Sequence, residues 1–167
     1  MAKKFSYDVV HRYKDNPLLT ISDIPFPCNT VFNAACAKYK GQYILLLRIE
    51  DLTGRSVFAL ARSNDGWLLI YHGVKTASSG PIYRLGAAVL AYDDPSKVLC
   101  RSAIPILSPR EYYERVGNVN NVVFSCGAIL EDDGQELKIY YGASDTSICL
   151  GTAKVNELMQ FCTIGEH

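Results

Sequence analysis

Residues 137–145 have the sequence LKIYYGASD, an apolar run that ends in a polar turn, and two other stretches follow the same plan. They are YILLLRIED at residues 43–51 and WLLIYHGV at residues 67–74. A second apolar run follows each of the three, at residues 83–92 after the run at 67–74, at 56–63 after the run at 43–51 and at 146–154 after the run at 137–145. Paired apolar runs of strand length, joined by polar links, predict repeated β-meanders whose strand ends face a common site.

The composition is that of a globular protein. The 167 residues are 49% hydrophobic and 20% charged, and a chain of this length can bury its own core. We therefore predict one domain over residues 1–167. Lys plus Arg and Asp plus Glu number 17 each, so no net charge attracts nucleic acid or an anionic membrane. We expect neither nucleic-acid nor membrane partners.

The N-terminus and the cysteines favour a cytoplasmic protein. Residues 1–16 contain no apolar segment of the secretory type, and no window holds the ~18 apolar residues that a bilayer requires. The six cysteines are scattered without a C-x-x-C pair, which favours reduced thiols and argues against a zinc site. We predict a cytoplasmic protein without a metal.

No long segment has the 3.6-residue period of a helix, so the sequence predicts an all-β fold. Residues 1–30 are expected to form an extended N-terminal lead-in, and residues 75–81 a loop. Residues 93–113 are expected to be a long excursion with one short strand and one turn of helix. A short helix is predicted at residues 155–161. The predicted strands cover residues 31–39, 43–49, 57–61, 67–74, 84–92, 122–130, 137–141 and 147–153.

The first and last repeats align over more than one strand. NTVFN at residues 29–33 resembles NVVFS at residues 121–125, and each is followed by a Gly-Gln turn and one of the apolar runs above. Four-stranded repeats of about 40–50 residues indicate a β-propeller. The alternative is a β-sandwich of simple hairpins.

The spacing of the repeats is uneven. The run centred on Leu46 precedes the run centred on Ile70 by 24 residues, but Ile70 precedes Ile139 by 69. Only three residues separate Ser63 from Trp67, too few to finish one blade and begin another. Either the middle repeat lacks its opening strand, or the first lacks its closing strand, or the two merge into a hybrid blade.

These motifs resemble those of glycoside hydrolase family 130, the β-mannoside phosphorylases and related glycosidases, which fold as five-bladed propellers. The resemblance covers nearly the whole chain. It implies inverting transfer of a β-linked mannosyl group to phosphate or water. Inorganic phosphate would be the co-substrate, no cofactor would be needed, and β-mannosides or manno-oligosaccharides would be the partners. The matching segments are NPLL at 16–19, VFN at 31–33, YILLLRIED at 43–51, GRS at 54–56, ARSNDG at 61–66, GWLLIYHGV at 66–74, YRLGAA at 83–88, PIL at 105–107, NVVFSCG at 121–127 and YYGASD at 140–145.

The family pattern contains a long central stretch that this chain lacks. In the family it separates a Ser-x-Asp-Gly motif from Gly-Trp-Leu-Leu-Ile-Tyr-His-Gly-Val, whereas here the two abut at Asp65, Gly66 and Trp67. The stretch holds the second and third blades, the start of the fourth, and an Asp-Pro-Arg segment whose aspartate is the general acid. No Asp-Pro-Arg occurs in this chain. The resemblance therefore implies a propeller truncated to about three blades, with no catalytic residue assigned and with impaired catalysis.

The resemblance also implies a mannose-binding site. Asn33, Arg48 and Asp145 match family positions that hold the mannose on the non-reducing side of the cleaved bond, and Asp51 lies in the same segment as Arg48. Carboxylates and a guanidinium suit sugar hydroxyls because together they offer several acceptors and donors. Without the resemblance, an aspartate at a strand end is more often a turn former or a solvated ion-pair partner.

The resemblance places a phosphate-contacting residue at His72. Tyr83 and Arg84 are expected to border the same cleft as substrate-binding residues. On the residues alone, a histidine at the end of an apolar run is more often a hydrogen-bonded core residue. The asparagines within residues 118–121 are either sugar ligands or turn formers.

Two functions of different classes remain open. In the first, the chain is a β-mannoside phosphorylase or glycosidase by ancestry. In the second, it is a non-catalytic remnant of a propeller that binds carbohydrate weakly or assembles with copies of itself. A homo-oligomer is expected under the second interpretation because a partial propeller leaves sheet faces and edges open.

Overall fold

The computed structural model describes residues 8–23, 30–39, 42–50, 61–63, 66–91, 93–94 and 97–163. Within these residues the chain forms three antiparallel sheets and a few short helices, which confirms the all-β prediction. The strands are β1 (His11–Arg12), β2 (Leu19–Thr20), β3 (Thr30–Tyr39), β4 (Gln42–Glu50), β5 (Ala61–Ser63), β6 (Gly66–Ala77), β7 (Gly80–Leu90), β8 (Val98–Arg101), β9 (Val123–Leu130), β10 (Glu136–Ala143) and β11 (Ser147–Lys154). The helices are a 3-10 turn (Ile21–Asp23), α1 (Tyr112–Arg115) and α2 (Val155–Thr163).

The first sheet is built on β9, β10 and β11, a meander of consecutive antiparallel strands. Its middle strand, β10, is buried on both faces. Successive side chains of a strand point to opposite faces, and Ile139, Tyr140 and Tyr141 are each less than 5% exposed. This double burial explains why β10 is a nearly continuous apolar run instead of an alternating one.

The N-terminal segment completes the β9–β11 sheet. β1 pairs with Gly151 and Thr152 of β11, and β2 pairs with the beginning of the same strand. Between them, the side chain of Asn16 imitates a strand, because it donates to the carbonyl of Leu150 at 2.8 Å and accepts from its N–H at 2.9 Å. The prediction of an extended lead-in did not include these two short strands, since their partner lies at the other end of the chain.

A buried ion pair, the Glu114 clamp, holds β1 to α1 and β10. The carboxylate of Glu114 is fully buried and meets Arg12 in a fork, with Nε to Oε1 at 2.8 Å and Nη2 to Oε2 at 2.9 Å. Tyr141 donates its phenol to Oε1 at 3.0 Å, and the N–H groups of Arg110 and Glu111 donate to Oε2. Burial acts to lower the pKa of Arg12, but its hydrogen bonds to carboxylates outweigh burial and raise that pKa. The clamp is therefore a fully hydrogen-bonded ion pair.

The second sheet contains β5, β6, β7 and β8 in chain order. β6 and β7 form a long hairpin in which Ala77 pairs with Gly80, so the turn consists of Ser78 and Ser79 alone. The predicted loop at residues 75–81 is therefore wrong. Gly80 has a φ of +107°, which glycine adopts without strain. It follows the two-residue turn directly as the first residue of β7.

Strand β5 decides between the three explanations of the uneven spacing. It pairs with the first three residues of β6. The apolar run that follows the first repeat thus supplies the opening strand of the second sheet, and the two repeats merge into a hybrid blade. Residues 51–60, with most of the strand predicted at residues 57–61, lie outside the described part of the chain.

The β9–β11 sheet lies between the other two. One of its faces packs on the β5–β8 sheet, in a core that joins Ile139 to Ile70 and Leu85. The opposite face packs on the β3–β4 hairpin, where Tyr140 and Leu45 belong to one cluster. Three sheets stacked face to face correspond to neighbouring propeller blades, whereas a sandwich has only two.

The structures of the connecting segment at residues 93–113 and of the C-terminal helix agree with the predictions from the sequence. Residues 93–113 carry the short strand β8 and the first residues of α1, as predicted. The helix predicted at residues 155–161 is α2, and its Leu158 and Cys162 are buried against the core. In the described part of the chain, no helix is long and apolar enough to cross a membrane.

Candidate functional site

His72 lies on β6, on the face of the sheet that meets β9. It pairs with Leu85 of β7, and its ring centroid is 3.9 Å from that of Phe124 and 6.1 Å from that of Tyr83. Burial lowers the pKa of His72, because desolvation disfavours the charged imidazolium. At neutral pH this position therefore offers a neutral imidazole, which has one donor and one acceptor nitrogen.

Asp145 occupies the turn between β10 and β11. Ser144 and Asp145 have φ values of 47° and 53°, and the N–H of Thr146 donates to the carbonyl of Ala143 at 3.0 Å. Two successive left-handed residues make a type I′ turn, whose twist suits a hairpin, and Asp tolerates this conformation better than most residues. The turn holds Asp145 half-buried at the end of β10.

The loop between α1 and β9 supports this turn from outside. The N–H of Val119 donates to the carbonyl of Ser144 at 3.2 Å, and the N–H of Ser144 donates to the carbonyl of Val122 at 3.1 Å. A Cβ atom at Gly117 would lie 2.6 Å from the Cβ of Ser144, so only glycine fits this contact. Sequence reasoning missed this support; a glycine beside three asparagines was the one signal that could have revealed it.

Asn120 and Asn121 stabilise the turn conformation of that loop. Asn120 accepts a hydrogen bond from the N–H of Gly117 at 3.3 Å through its side-chain oxygen. Asn121 has a φ of 59°, in the left-handed region that asparagine tolerates. These contacts favour the interpretation of both residues as turn formers.

Residues 121–124 bring His72, Tyr83 and Asp145 to one edge of the molecule. The N–H of Tyr83 donates to the carbonyl of Asn121 at 3.0 Å, and Phe124 contacts His72. Phe124 of β9 also pairs with Gly142 of β10, which is three residues before Asp145. The structure thus gathers three of the predicted site residues around the beginning of β9.

Asn33 and Arg48 are direct partners in the β3–β4 hairpin. Asp51 lies outside the described part of the chain.

Arg84 lies on the other face of the sheet from His72 and Tyr83. It pairs with Gly73, and neighbours in a strand alternate between faces. The guanidinium lines a separate cavity together with Lys75. The structure therefore does not bring Arg84 together with the other predicted site residues.

The arrangement around residues 121–124 suits hydrogen bonding to a polar ligand. It offers a neutral imidazole, a phenol-bearing side chain and a carboxylate, which can pair with hydroxyls or an oxyanion. Within the described residues, no group of three or more His, Cys, Asp or Glu side chains is placed to hold a metal ion.

The stack of three sheets defines the class of the fold, which is a β-propeller. The structure is similar to that of the β-1,2-mannobiose phosphorylase from Listeria innocua in complex with β-1,2-mannobiose. The TM-score is 0.57 at 36% identity, and the match covers 74% of this chain and 35% of that one. The propeller prediction is confirmed, with three blade-like sheets in the described part of this chain.

Residues 49–164 match the family model of glycoside hydrolase family 130, described as β-1,4-mannooligosaccharide phosphorylase. The chain belongs to this family, as its motifs predicted. It is 37% identical over 99 residues to the β-1,4-mannooligosaccharide phosphorylase of Ruminococcus albus, across 59% of this chain and 30% of that protein. It is 52% identical over 87 residues to a β-1,2-mannobiose phosphorylase of Thermoanaerobacter sp., across 52% of this chain and 27% of that protein. The match thus spans less than a third of each of these relatives.

Proposed function

We propose that this protein is a β-mannoside phosphorylase- or glycosidase-like protein that keeps part of a mannoside–phosphate site but has little or no catalytic activity. The observation that carries the proposal is the contact of His72 with Phe124, at 3.9 Å between ring centroids. Through Phe124 the histidine shares one edge with the turn that presents Asp145. Family membership over residues 49–164 supplies the chemistry expected at this edge.

The proposed site divides between sugar and phosphate. Asn33, Arg48, Asp51, Tyr83 and Asp145 hold the mannosyl group by hydrogen bonds to its hydroxyls. The neutral ring of His72 donates a hydrogen bond to inorganic phosphate, the co-substrate, and the reaction needs no other cofactor. Arg84, assigned to substrate from the sequence, faces away from this edge.

Catalysis requires more than these residues provide. Inverting transfer needs an acid that protonates the leaving oxygen while phosphate or water attacks the opposite face of the sugar. This sequence has no Asp-Pro-Arg segment, which carries that acid in the family pattern. Loss of a general acid alone typically lowers the rate by 10²–10⁴-fold.

The proposed substrates are β-linked mannosides or manno-oligosaccharides, the compounds for which its relatives are named. The proposed compartment is the cytoplasm. Support comes from the described cysteines, all of which are free thiols: Cys36, Cys100, Cys126, Cys149 and Cys162. Free thiols suit a reducing compartment.

Incubation with β-1,2- and β-1,4-mannobiose, with and without phosphate, tests the proposal. Mannose 1-phosphate and free mannose are measured. We expect neither product above trace amounts. Turnover at a rate near that of a complete family member would contradict the impaired-site proposal.

A non-catalytic carbohydrate-binding or self-assembling remnant is the second candidate, and one observation favours self-assembly. The outer face of the β5–β8 sheet, which points away from β9, carries an apolar groove of about 510 Å³. Leu69, Leu90 and Val98 line it, and Val98 is 56% exposed. We propose that copies of the chain associate through this outer face, because an open sheet face of this kind favours association.

A further inference from the structure

A second cavity lies on the face of the β6–β7 hairpin opposite His72. Its volume is about 210 Å³, several times the ~30 Å³ that one water occupies in the liquid. The floor is the pair Gly73 and Arg84, and residues 102–105 form one wall. A Cβ atom at Gly73 would meet nothing within 4 Å, so the space at this position is open.

Two cations line this cavity without a compensating charge. The Nε of Arg84 is buried and has no hydrogen-bond acceptor within the described residues. Lys75 has no ion pair in the same part of the chain. No Asp or Glu is among the described residues around the cavity. A buried guanidinium N–H left without an acceptor is unfavourable, so the cavity is suited to a ligand that supplies one.

The polar groups of the walls can also donate. The hydroxyl oxygen of Ser102 accepts from the N–H of Ala87 at 3.1 Å, so its own proton is available to a ligand. The phenol of Tyr71 lies directly over Gly86, where a Cβ atom would come within 2.7 Å of its oxygen. The absence of a side chain at Gly86 is thus what lets Tyr71 line the cavity. Cations and hydroxyl donors around one cavity select an oxyanion.

We propose that this cavity binds a small oxyanion, the phosphoryl group of inorganic phosphate or of a sugar phosphate, between Arg84 and Lys75. Arg presents parallel N–H donors that match two phosphoryl oxygens, and Lys adds a point charge. The β6–β7 hairpin separates this oxyanion cavity from His72. The inference does not depend on the proposed function.

Calorimetric titration at low ionic strength tests the oxyanion cavity, with inorganic phosphate and mannose 1-phosphate as probes. The variants are Arg84→Gln and Lys75→Gln, and the control is Lys97→Gln, an exposed cation elsewhere. His72→Gln reports separately on phosphate bound at the proposed active site. We expect Arg84→Gln to weaken phosphate binding at least tenfold and Lys75→Gln several-fold, with binding by Lys97→Gln unchanged. Equal affinity for the two probes means that the cavity recognises the phosphoryl group alone. Tighter binding of mannose 1-phosphate means that the cavity also contacts the sugar.

Absence of phosphate binding to the wild-type protein overturns the inference. So does a loss of binding in His72→Gln with Arg84→Gln unaffected, a result that assigns the anion to the proposed active site instead. If Arg84→Gln does not fold, as judged by circular dichroism, Lys75→Gln decides, because Lys75 is exposed. NMR chemical-shift changes of the Gly73 and Gly86 amides on addition of phosphate then show whether the anion binds in the cavity. Failure of the proposed function appears separately, as absent binding of mannobiose.

Discussion

His72 illustrates how packing sets the chemistry of one side chain. Its imidazole lies against Phe124 and near Tyr83, with no more than partial exposure to water. Loss of hydration lowers its pKa from the ordinary 6.5, so the ring is neutral where most histidines begin to charge. A neutral ring can donate one hydrogen bond to an anionic ligand without carrying a charge of its own.

We predict that His72 titrates below 6.5 in the folded protein, measured by NMR of the ring against the urea-unfolded chain. As the pH falls, the unfolded chain takes up this proton first. The contribution of His72 to the free energy of unfolding is therefore fully present above pH 6.5, and it declines as the pH falls below this value. His72→Asn should lose this part of the pH dependence. Identical pH dependence in the variant and the wild type would contradict the prediction.

The neighbours Tyr83 and Arg84 show what sequence can and cannot say about a site. The sequence predicts that both border one cleft, because they are adjacent in a motif of the family. In a strand, however, adjacent side chains point to opposite faces, so Tyr83 meets His72 while Arg84 enters the oxyanion cavity. The two-residue period was available in the sequence. Which face carries the cleft depends on sheet packing and was not.

Local sequence patterns predicted most of the strands, but they did not predict which strands pair over long distances in the chain. Apolar runs of strand length and the turn residues between them were enough for β3, β4 and the β9–β11 meander. β1 and β2 pair with β11, which lies near the other end of the chain, and no local sequence pattern predicts this pairing. The same reason hid the Glu114 clamp, in which Arg12 and Glu114 are 102 residues apart.

The Glu114 clamp predicts a large effect of one substitution. Glu114→Ala leaves the Nε of Arg12 and the phenol of Tyr141 without their acceptor, while Asp8 still pairs with Arg12. We expect the free energy of unfolding to fall by about 1–3 kcal/mol for each of these donors. Urea denaturation followed by circular dichroism measures it. The matched control is Glu136→Ala, an exposed glutamate, with an expected change within about 0.5 kcal/mol. Equal stability of the two variants would show that the clamp adds nothing.

At the scale of the whole molecule, the stack of sheets has two outer faces. The β9–β11 sheet is covered on both sides, by β3–β4 and by β5–β8. The outer face of β5–β8 carries the apolar groove, and the exposed side chains of Val98, Leu99 and Ile104 lie on β8 and just beyond it. In a propeller each blade face is covered by its neighbour. Within the described residues no further sheet covers this face, in agreement with the merging of two repeats into one blade.

We predict that the protein self-associates through this outer face. Analytical ultracentrifugation should give a mass above 18.5 kDa that rises with protein concentration. Val98→Asp places a charge in the groove and should shift the population towards monomer. Val116→Asp is the control, because Val116 is similarly exposed, at 49%, but lies outside the groove. A monomer at every concentration would contradict the prediction.

The most direct test of the central claim, an inherited but incomplete mannoside site, is calorimetric titration with β-mannobiose. The wild type, Asp145→Asn and Asp93→Asn are compared. Asn tolerates the left-handed conformation of position 145, so the first variant removes the charge and keeps the turn. We predict weak binding to the wild type, at least tenfold weaker binding to Asp145→Asn, and no change in Asp93→Asn, whose exposed aspartate lies in another loop. No binding by the wild type, or equal binding by all three proteins, would contradict the account.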